Sequence, residues 1–185
     1  MQYIVTKKEM KAIDTYTIER IGIPAVVLME RAALAVAAQV ETVNKNRGRI
    51  LIAVESGNNG GDGLAVARIL LQRGYLVDVL YISDVKKISE QFEIQKNILN
   101  QLGVRFYQNI SNKDYAVVID GIFGVGLSRN IMNPQKKVIE ELNQIDAIKI
   151  AIDIPSGIDA TTGEILGVAF RADYTVTFGA KKLGM

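Results

Sequence analysis

Apolar and polar positions along this 185-residue chain form two alternating kinds of run. Short runs rich in β-branched residues predict strands near 50–54, 76–82, 104–107, 116–119, 149–152 and 174–178. Longer runs with apolar residues at helical spacing predict helices near 63–73, 89–101 and 134–145. Because strands and helices alternate and the strands are almost continuously apolar, we predict an α/β fold, a three-layer Rossmann-like sandwich with a mostly parallel sheet.

Extra amino-terminal helices precede this alternation. Thr6 and Glu9 form a Ser/Thr-x-x-Glu capping box, which predicts a helix that runs towards Arg20 and ends at Gly22. Pro24 begins a second, longer helix. We expect the core-facing side of that helix to be formed by Val27, Leu28, Leu34, Ala35 and Ala38.

These helices carry more apolar residues than one face of a sheet needs, namely Ile18, Ile21, Ile23, Val26 and Val27. A homodimer built partly on the helices would bury the excess, and two-fold dimers are the commonest oligomers. We therefore predict a homodimer. The alternative is that the helices only cover the sheet, since scattered apolar residues on a surface are normal.

Composition narrows the classes of function. The 22 basic and 20 acidic residues are spread along the chain, so no charged patch for nucleic acid or an anionic membrane is predicted, and a small-molecule partner is favoured. Cys and His are absent, which removes disulfides, thiolate nucleophiles and the usual proton shuttle. Residues 1–11 are polar, and Glu30 and Arg31 interrupt the most apolar stretch, so we expect a cytoplasmic protein without a membrane span.

The most informative segment is 55–63, which reads Glu-Ser-Gly-Asn-Asn-Gly-Gly-Asp-Gly between a predicted strand and a predicted helix. We expect its glycines to allow positive φ and to expose backbone N–H groups to a phosphate, with Asn58, Asn59 and Asp62 as small polar groups. The segment has neither G-x-G-x-x-G spacing nor the Gly-Lys-Ser/Thr of a P-loop, which disfavours the ordinary nucleotide sites. A purely structural turn is the alternative.

Two further predicted strands end in aspartate, at Asp120 and Asp153, and each is followed by a loop that contains glycine. The carboxyl ends of parallel strands line the ligand crevice of an open sheet, so we expect Asp62, Asp120 and Asp153 to converge there. Pro155 stiffens the backbone that presents Asp153 and Ser156. For each aspartate alone, a helix cap or a turn is the competing interpretation.

Gly124 and Gly126 belong to a second glycine loop, 124–130, in which Arg129 is a candidate phosphate ligand or an ordinary solvated side chain. The pair Lys181 and Lys182 is most simply a pair of surface charges. It follows a strand end closely enough that it could also face the crevice.

Taken together, these motifs resemble the NAD(P)H-hydrate epimerase family, the YjeF N-terminal domain. The matching segments lie in order along the whole chain, at 28–32, 57–63, 120–129, 153–159 and 172–179. The resemblance implies a single domain over 1–185 that interconverts the R and S forms of NADHX and NADPHX, in which C6 of the nicotinamide ring is hydrated. A partner dehydratase, dependent on ADP or ATP, would then repair the S form.

The resemblance also implies a set of site residues. By position, the substrate contacts fall on Asn58, Asn59, Gly60, Gly61, Asp62, Gly124, Val125, Gly126, Leu127, Ser128, Arg129, Asn130 and Asp153. Potassium ligands fall on Asn59, Asp120 and Ser156, one ion per subunit, and such a hard oxygen shell of low charge favours a monovalent cation over Ca²⁺. With no histidine in the chain, Asp153 is the acid/base candidate.

The sequence departs from the family pattern at several positions. Glu55 and Ala33 stand where glycine is usual, Val125 where threonine is usual and Lys181 where proline is common. The acidic side chain of Glu55 beside a phosphate loop is unfavourable unless it points away. Relatives normally continue beyond Met185, so we expect a fragment, and whether a dehydratase domain is fused to it stays open. One alternative is a non-catalytic interaction scaffold of the same fold. Another is a generic nucleotide or phosphate-transfer enzyme, for which this chain lacks the P-loop lysine and a carboxylate cluster for Mg²⁺.

Overall fold

The computed structural model describes residues 3–82 and 88–185, and its main element is a six-stranded parallel sheet. The strands are β1 (Ile4–Val5), β2 (Ile50–Val54), β3 (Val77–Tyr81), β4 (Phe106–Tyr107), β5 (Val117–Gly121), β6 (Ile148–Ile152), β7 (Tyr174–Val176) and β8 (Lys181–Lys182). The helices are α1 (Lys7–Tyr16), α2 (Ala25–Val43), α3 (Asn58–Gln72), α4 (Glu90–Gln101) and α5 (Gln135–Gln144). The sheet order is β4-β3-β2-β5-β6-β7, so the strands named in the sequence analysis are confirmed with small differences at their ends.

Helices cover both faces of this sheet, which confirms the three-layer sandwich. Along β2, Ile50, Ile52 and Val54 pack with α2, α3 and α4 on one face. Leu51 and Ala53 point to the other face, where α5 packs. Strands buried on both sides carry apolar residues at every position, which is why their hydrophobic runs are continuous. No helix in the described part of the chain is both long and apolar enough to span a membrane.

The amino-terminal helices form as predicted. The side chain of Thr6 accepts a hydrogen bond from the Glu9 N–H, and Glu9 Oε2 accepts one from the Thr6 N–H at 2.8 Å, which is a complete capping box. Helix α1 continues through a π-helical turn, Thr17–Ile21, and ends at Gly22 with φ of 83°. Pro24 then caps α2.

The predicted core face of α2 is wrong. Val27, Leu34, Ala35 and Ala38 are exposed and Leu28 is only partly buried. The buried residues are Met29, Ala32, Ala33, Val36, Ala37 and Val40. Apolar residues surround most of this helix, so periodicity does not identify the buried side. Alanines lie on both sides of it, with Ala33 and Ala37 buried and Ala35 exposed.

The start of α3 is also different from the prediction. The helix begins at Asn58 rather than near 63, so the connection after β2 is only Glu55, Ser56 and Gly57. The Gly61 N–H donates to the Gly57 carbonyl at 3.0 Å, which closes the first helical turn. The polar residues of the glycine-rich segment therefore lie on the first turn of a helix.

The two ends of the described chain meet in a small parallel sheet that the sequence did not predict. Strand β1 pairs with β8, with Ile4 opposite Lys181 and Val5 opposite Lys182. Both strands have only two residues, too short for a periodic pattern to reveal. This pairing determines where Lys182 lies relative to the carboxyl end of the main sheet.

Candidate active site

Asp120 and Ser156 meet at the carboxyl ends of β5 and β6, and both are completely buried. Ser156 donates to the Asp120 carboxylate twice, from its backbone N–H at 2.7 Å and from its hydroxyl at 2.6 Å. The Phe123 N–H donates to the Ser156 hydroxyl oxygen at 2.8 Å. The predicted convergence of these two strand-end loops is therefore confirmed.

Asn59 enters the same corner from the first turn of α3. Its backbone carbonyl oxygen lies 3.3 Å from the position that a Cβ on Gly121 would occupy. Its side-chain oxygen lies 2.9 Å from the position of a Cβ on Gly124. Its side-chain amide nitrogen is buried and has no hydrogen-bond partner among the described residues. An unpaired buried amide is costly, and a side-chain amide turned by 180° would present its oxygen at the same point.

The glycines of 57–63 serve close packing. A Cβ on Gly60 would lie 1.6 Å from the Glu55 carbonyl oxygen, and one on Gly61 would lie 2.7 Å from the Met29 methyl carbon. A Cβ on Gly63 would lie 2.7 Å from a Val54 methyl group. None of the glycines in this segment has positive φ, so the expectation of left-handed backbone here is wrong. The first N–H groups of α3 have no carbonyl acceptor within the helix, as at other helix N-termini.

Glu55 is buried directly before this helix, and its carboxylate is satisfied within the protein. It accepts from the Ser56 N–H at 2.9 Å and from the Gln135 side-chain amide at 2.7 Å. Gln135 begins α5 on the opposite face of the sheet. One carboxylate oxygen of Glu55 thus bonds to α5, and the other stays at Ser56.

Asp153 follows β6 with φ of 67°, in the left-handed region. Its Oδ1 atom accepts a hydrogen bond from Lys182 Nζ, and Lys182 is 1% exposed. The description of Lys182 as a surface charge is therefore wrong, and the alternative location near the crevice is the observed one. Its place in the sequence, shortly after the last predicted strand, was the available indication.

The carboxylates near Asp153 influence each other electrostatically. Burial raises the pKa of Asp62 well above its ordinary value, and the charges of Asp153 and Asp14 add to that increase. Burial likewise raises the pKa of Asp14, with Asp153 adding to the effect and Lys182 opposing it. Asp14 lies on α1, outside every motif that pointed to the site.

Burial is the largest influence on the pKa of Asp120. Desolvation raises it to about 6, although the hydrogen bonds from Ser156 and the Ile122 N–H oppose the increase. A nearby cation would favour the charged carboxylate.

The second glycine loop, 124–130, lies beside the amino-terminal helix. Lys7 Nζ donates to the Gly126 carbonyl at 3.1 Å and also to the Leu127 carbonyl. Leu127 is buried, whereas Ser128, Arg129 and Asn130 are exposed. Helix α1 thus anchors the first half of the loop, and the polar second half faces outward.

Comparison with known proteins gives consistent results. The model of the family described as YjeF-related protein N-terminus matches residues 25–184. A Leuconostoc citreum protein named NAD(P)H-hydrate epimerase is 40% identical over 182 residues, which cover 98% of this chain and 82% of the relative. An Oenococcus oeni protein of the same name is 40% identical over 183 residues and is covered to 87%. The crystal structure of yeast ynu0, YNL200c, superposes with a TM-score of 0.87 at 26% identity, over 98% of this chain and 82% of that one.

Proposed function

The chain belongs to the family of YjeF-related N-terminal domains, and on that premise we propose that it is an NAD(P)H-hydrate epimerase, an isomerase. It interconverts the R and S forms of C6-hydrated NADH and NADPH, so that an ADP- or ATP-dependent dehydratase can act on the S form. Relatives of that name align over 98% of the chain. The observation that carries the proposal is the buried Asp153 carboxylate at the carboxyl end of the sheet, beside the first turn of α3.

In this proposal two glycine-rich segments bind the dinucleotide. The first turn of α3, Asn58 to Asp62, would receive a phosphate on those of its N–H groups that have no acceptor within the helix, where the helix dipole also favours negative charge. The loop 124–130 would line the other side, with exposed Arg129 available for a phosphate contact.

We propose a potassium site formed by Asn59, Asp120 and Ser156. With the Asn59 amide turned so that its oxygen takes the place of the unpaired nitrogen, this oxygen, the Asp120 carboxylate and the Ser156 oxygens would fit a cation of low charge. In the described residues no three acidic, histidine or cysteine side chains gather into a metal-binding group, which disfavours a divalent site. A bound potassium ion would supply positive charge that keeps these loops ordered near an anionic substrate.

The chemistry at C6 requires movement of a proton. Inversion breaks and re-forms either the C6–O bond, through an iminium, or the C6–N1 bond, through an opened ring. Both routes move a proton at the C6 hydroxyl, and the chain contains no histidine. Asp153 is the proposed acid/base, since its carboxylate lies at the strand ends that line the crevice.

The non-catalytic scaffold of the same fold is less well supported. A scaffold has no need of Asn59, Asp62, Asp120, Asp153 and Ser156 together, and all five are present, three of them buried at one end of the sheet. Function is argued from such site chemistry rather than from the fold.

A direct assay tests the proposal. A mixture of R and S NADHX is incubated with an S-specific dehydratase, and consumption of the R form is followed with and without this protein. Acceleration of R consumption supports the epimerase. Consumption at the uncatalysed rate would refute it, and Asp153→Asn is the control for a contaminating enzyme.

A further inference from the structure

Lys182 has an unusual environment for a lysine. It is 1% exposed, and its ammonium donates to three acceptors: Asp153 Oδ1, the Thr177 hydroxyl at 2.9 Å and the Phe178 carbonyl at 2.8 Å. An ammonium has three donors, so each has a partner. The side chain is therefore held in one position.

The hydrogen bonds on Asp153 all fall on one carboxylate oxygen. Oδ1 faces Lys182 Nζ, and the Thr177 hydroxyl and the Phe178 N–H are also directed to it, each at 3.5 Å. Oδ2 has no hydrogen-bond donor among residues 3–82 and 88–185. One oxygen is thus fixed by the protein, and the other is left for a ligand.

The backbone at this point needs support from its surroundings. Asp153 has φ of 67°, a conformation that residues with a Cβ rarely adopt and that persists only when neighbouring contacts hold it. The Asp153 N–H donates to the Val176 carbonyl at 2.8 Å, and Lys182 donates to the side chain.

The lysine itself is placed by the pairing of the chain ends. Lys182 lies opposite Val5 in the β1–β8 sheet, and the Leu183 N–H donates to the Val5 carbonyl at 2.9 Å. Its neighbour Lys181 is partly exposed and has no ion pair among the described residues. Two adjacent lysines therefore have different environments, which provides a matched control.

We propose that Lys182 is a positioning residue for Asp153: it holds Oδ1 so that Oδ2 faces the substrate hydroxyl. This proposal rests on the proposed function, in which Asp153 moves the proton. A buried carboxylate needs a paired charge and a fixed rotamer to act on one atom of a substrate, and Lys182 provides both. The competing interpretation is an ion pair that only stabilises the fold.

Kinetics of matched variants distinguish the two. We expect Lys182→Met to lower kcat about tenfold or more, with KM within about twofold, because only the orientation of the proton-transfer group changes. Lys182→Arg keeps the charge and should recover part of kcat, and Lys181→Met should leave both constants unchanged. Because Lys182 acts through Asp153, the double variant Asp153→Asn/Lys182→Met should be no slower than Asp153→Asn.

Removing one partner of a buried pair is destabilising, so Lys182→Met could fail to fold. The double variant, which has no buried charge at this point, then decides. A kcat equal to that of Asp153→Asn supports the proposal. A kcat lower than that of Asp153→Asn, by the same factor by which Lys182→Arg falls below the parent, overturns it. A folded Lys182→Met with the parent kcat also overturns it.

A crystal structure of a Lys182 variant tests the positioning role without a measurement of turnover. We expect the Asp153 carboxylate of Lys182→Met, or of Lys182→Gln should the former not fold, to leave its position against Thr177. A carboxylate unchanged in either variant refutes positioning. If the unmodified protein fails to epimerise NADHX, the proposed function falls, whereas this structural result still decides the role of Lys182.

Discussion

Gly60→Ala tests the close packing at the start of α3. In most helices this change is favourable by about 1 kcal/mol, because alanine has the higher helix propensity. Here the added Cβ would lie 1.6 Å from the carbonyl oxygen of Glu55 and 2.8 Å from its carbonyl carbon. We therefore expect the sign to be reversed, with the variant less stable than the parent.

The size of the effect follows from these distances. To reach 3.0 Å from the oxygen, the Cβ and the Glu55 carbonyl must separate by about 1.4 Å, the difference between 3.0 Å and 1.6 Å. Both groups are backbone or attached directly to it, so no side chain can rotate away. Overpacking of this kind costs ~1–3 kcal/mol and occasionally more, and we expect about 3 kcal/mol. For a chain of this size, that lowers Tm by about 6–12 °C.

Gly57→Ala is the matched control in the same segment. Gly57 has φ of −83°, and no heavy atom lies within 4 Å of the position of its Cβ. Alanine is only a poorer N-cap there, which costs less than about 1 kcal/mol. Urea unfolding at a fixed temperature and a thermal melt, both followed by circular dichroism, give the two free energies.

Close packing at Gly60 is refuted if Gly60→Ala unfolds at the parent midpoint, or if Gly57→Ala loses as much stability as Gly60→Ala. A parent midpoint for Gly60→Ala would mean that glycine at this position serves only the approach of a ligand. If the added Cβ displaces the first turn of α3 as expected, the folded Gly60→Ala variant should bind the dinucleotide more weakly than the parent.

Four further outcomes are expected. Asp153→Asn should keep the fold and most of the affinity while slowing epimerisation by ~10²- to 10⁴-fold, and turnover at the parent rate would exclude Asp153 as the acid/base. Asp120→Ala should weaken substrate binding through loss of loop order; activity unaffected when a large organic cation replaces K⁺, with no ion density at the site, would contradict the potassium site. Because burial raises the pKa of Asp62, ionisation opposes folding and the free energy of unfolding should fall as pH rises above 3.8; Asp62→Asn should reduce that fall in urea titrations at pH 5 and pH 8. Exposed Ile13, Tyr16 and Ile21 support the predicted homodimer, so light scattering should give twice 20.3 kDa and deletion of residues 1–24 should give monomers; a monomer at micromolar concentration would refute it.

Local pattern was sufficient for much of the architecture. The central strands β2, β5 and β6 follow from short apolar runs rich in β-branched residues, because a strand covered on both faces is mostly apolar. Their parallel arrangement then brings Asp120 and Ser156 together, since loops after neighbouring parallel strands lie at one edge. The capping box at Thr6 is likewise a local interaction that the sequence displays directly.

Long-range contacts decided the rest. Burial of Met29 rather than Val27 depends on how α2 packs against α3, and the need for glycine at 60 depends on the carbonyl of Glu55 across a tight turn. Lys182 reaches Asp153 only because strands at the two ends of the described chain pair with each other. The sequence by itself therefore determined the elements, their order and the strand-end chemistry, which are set by hydrophobic period and turn residues within a few positions. Which atoms meet across elements was determined by tertiary packing, because close packing depends on the shapes of surfaces that are distant along the chain.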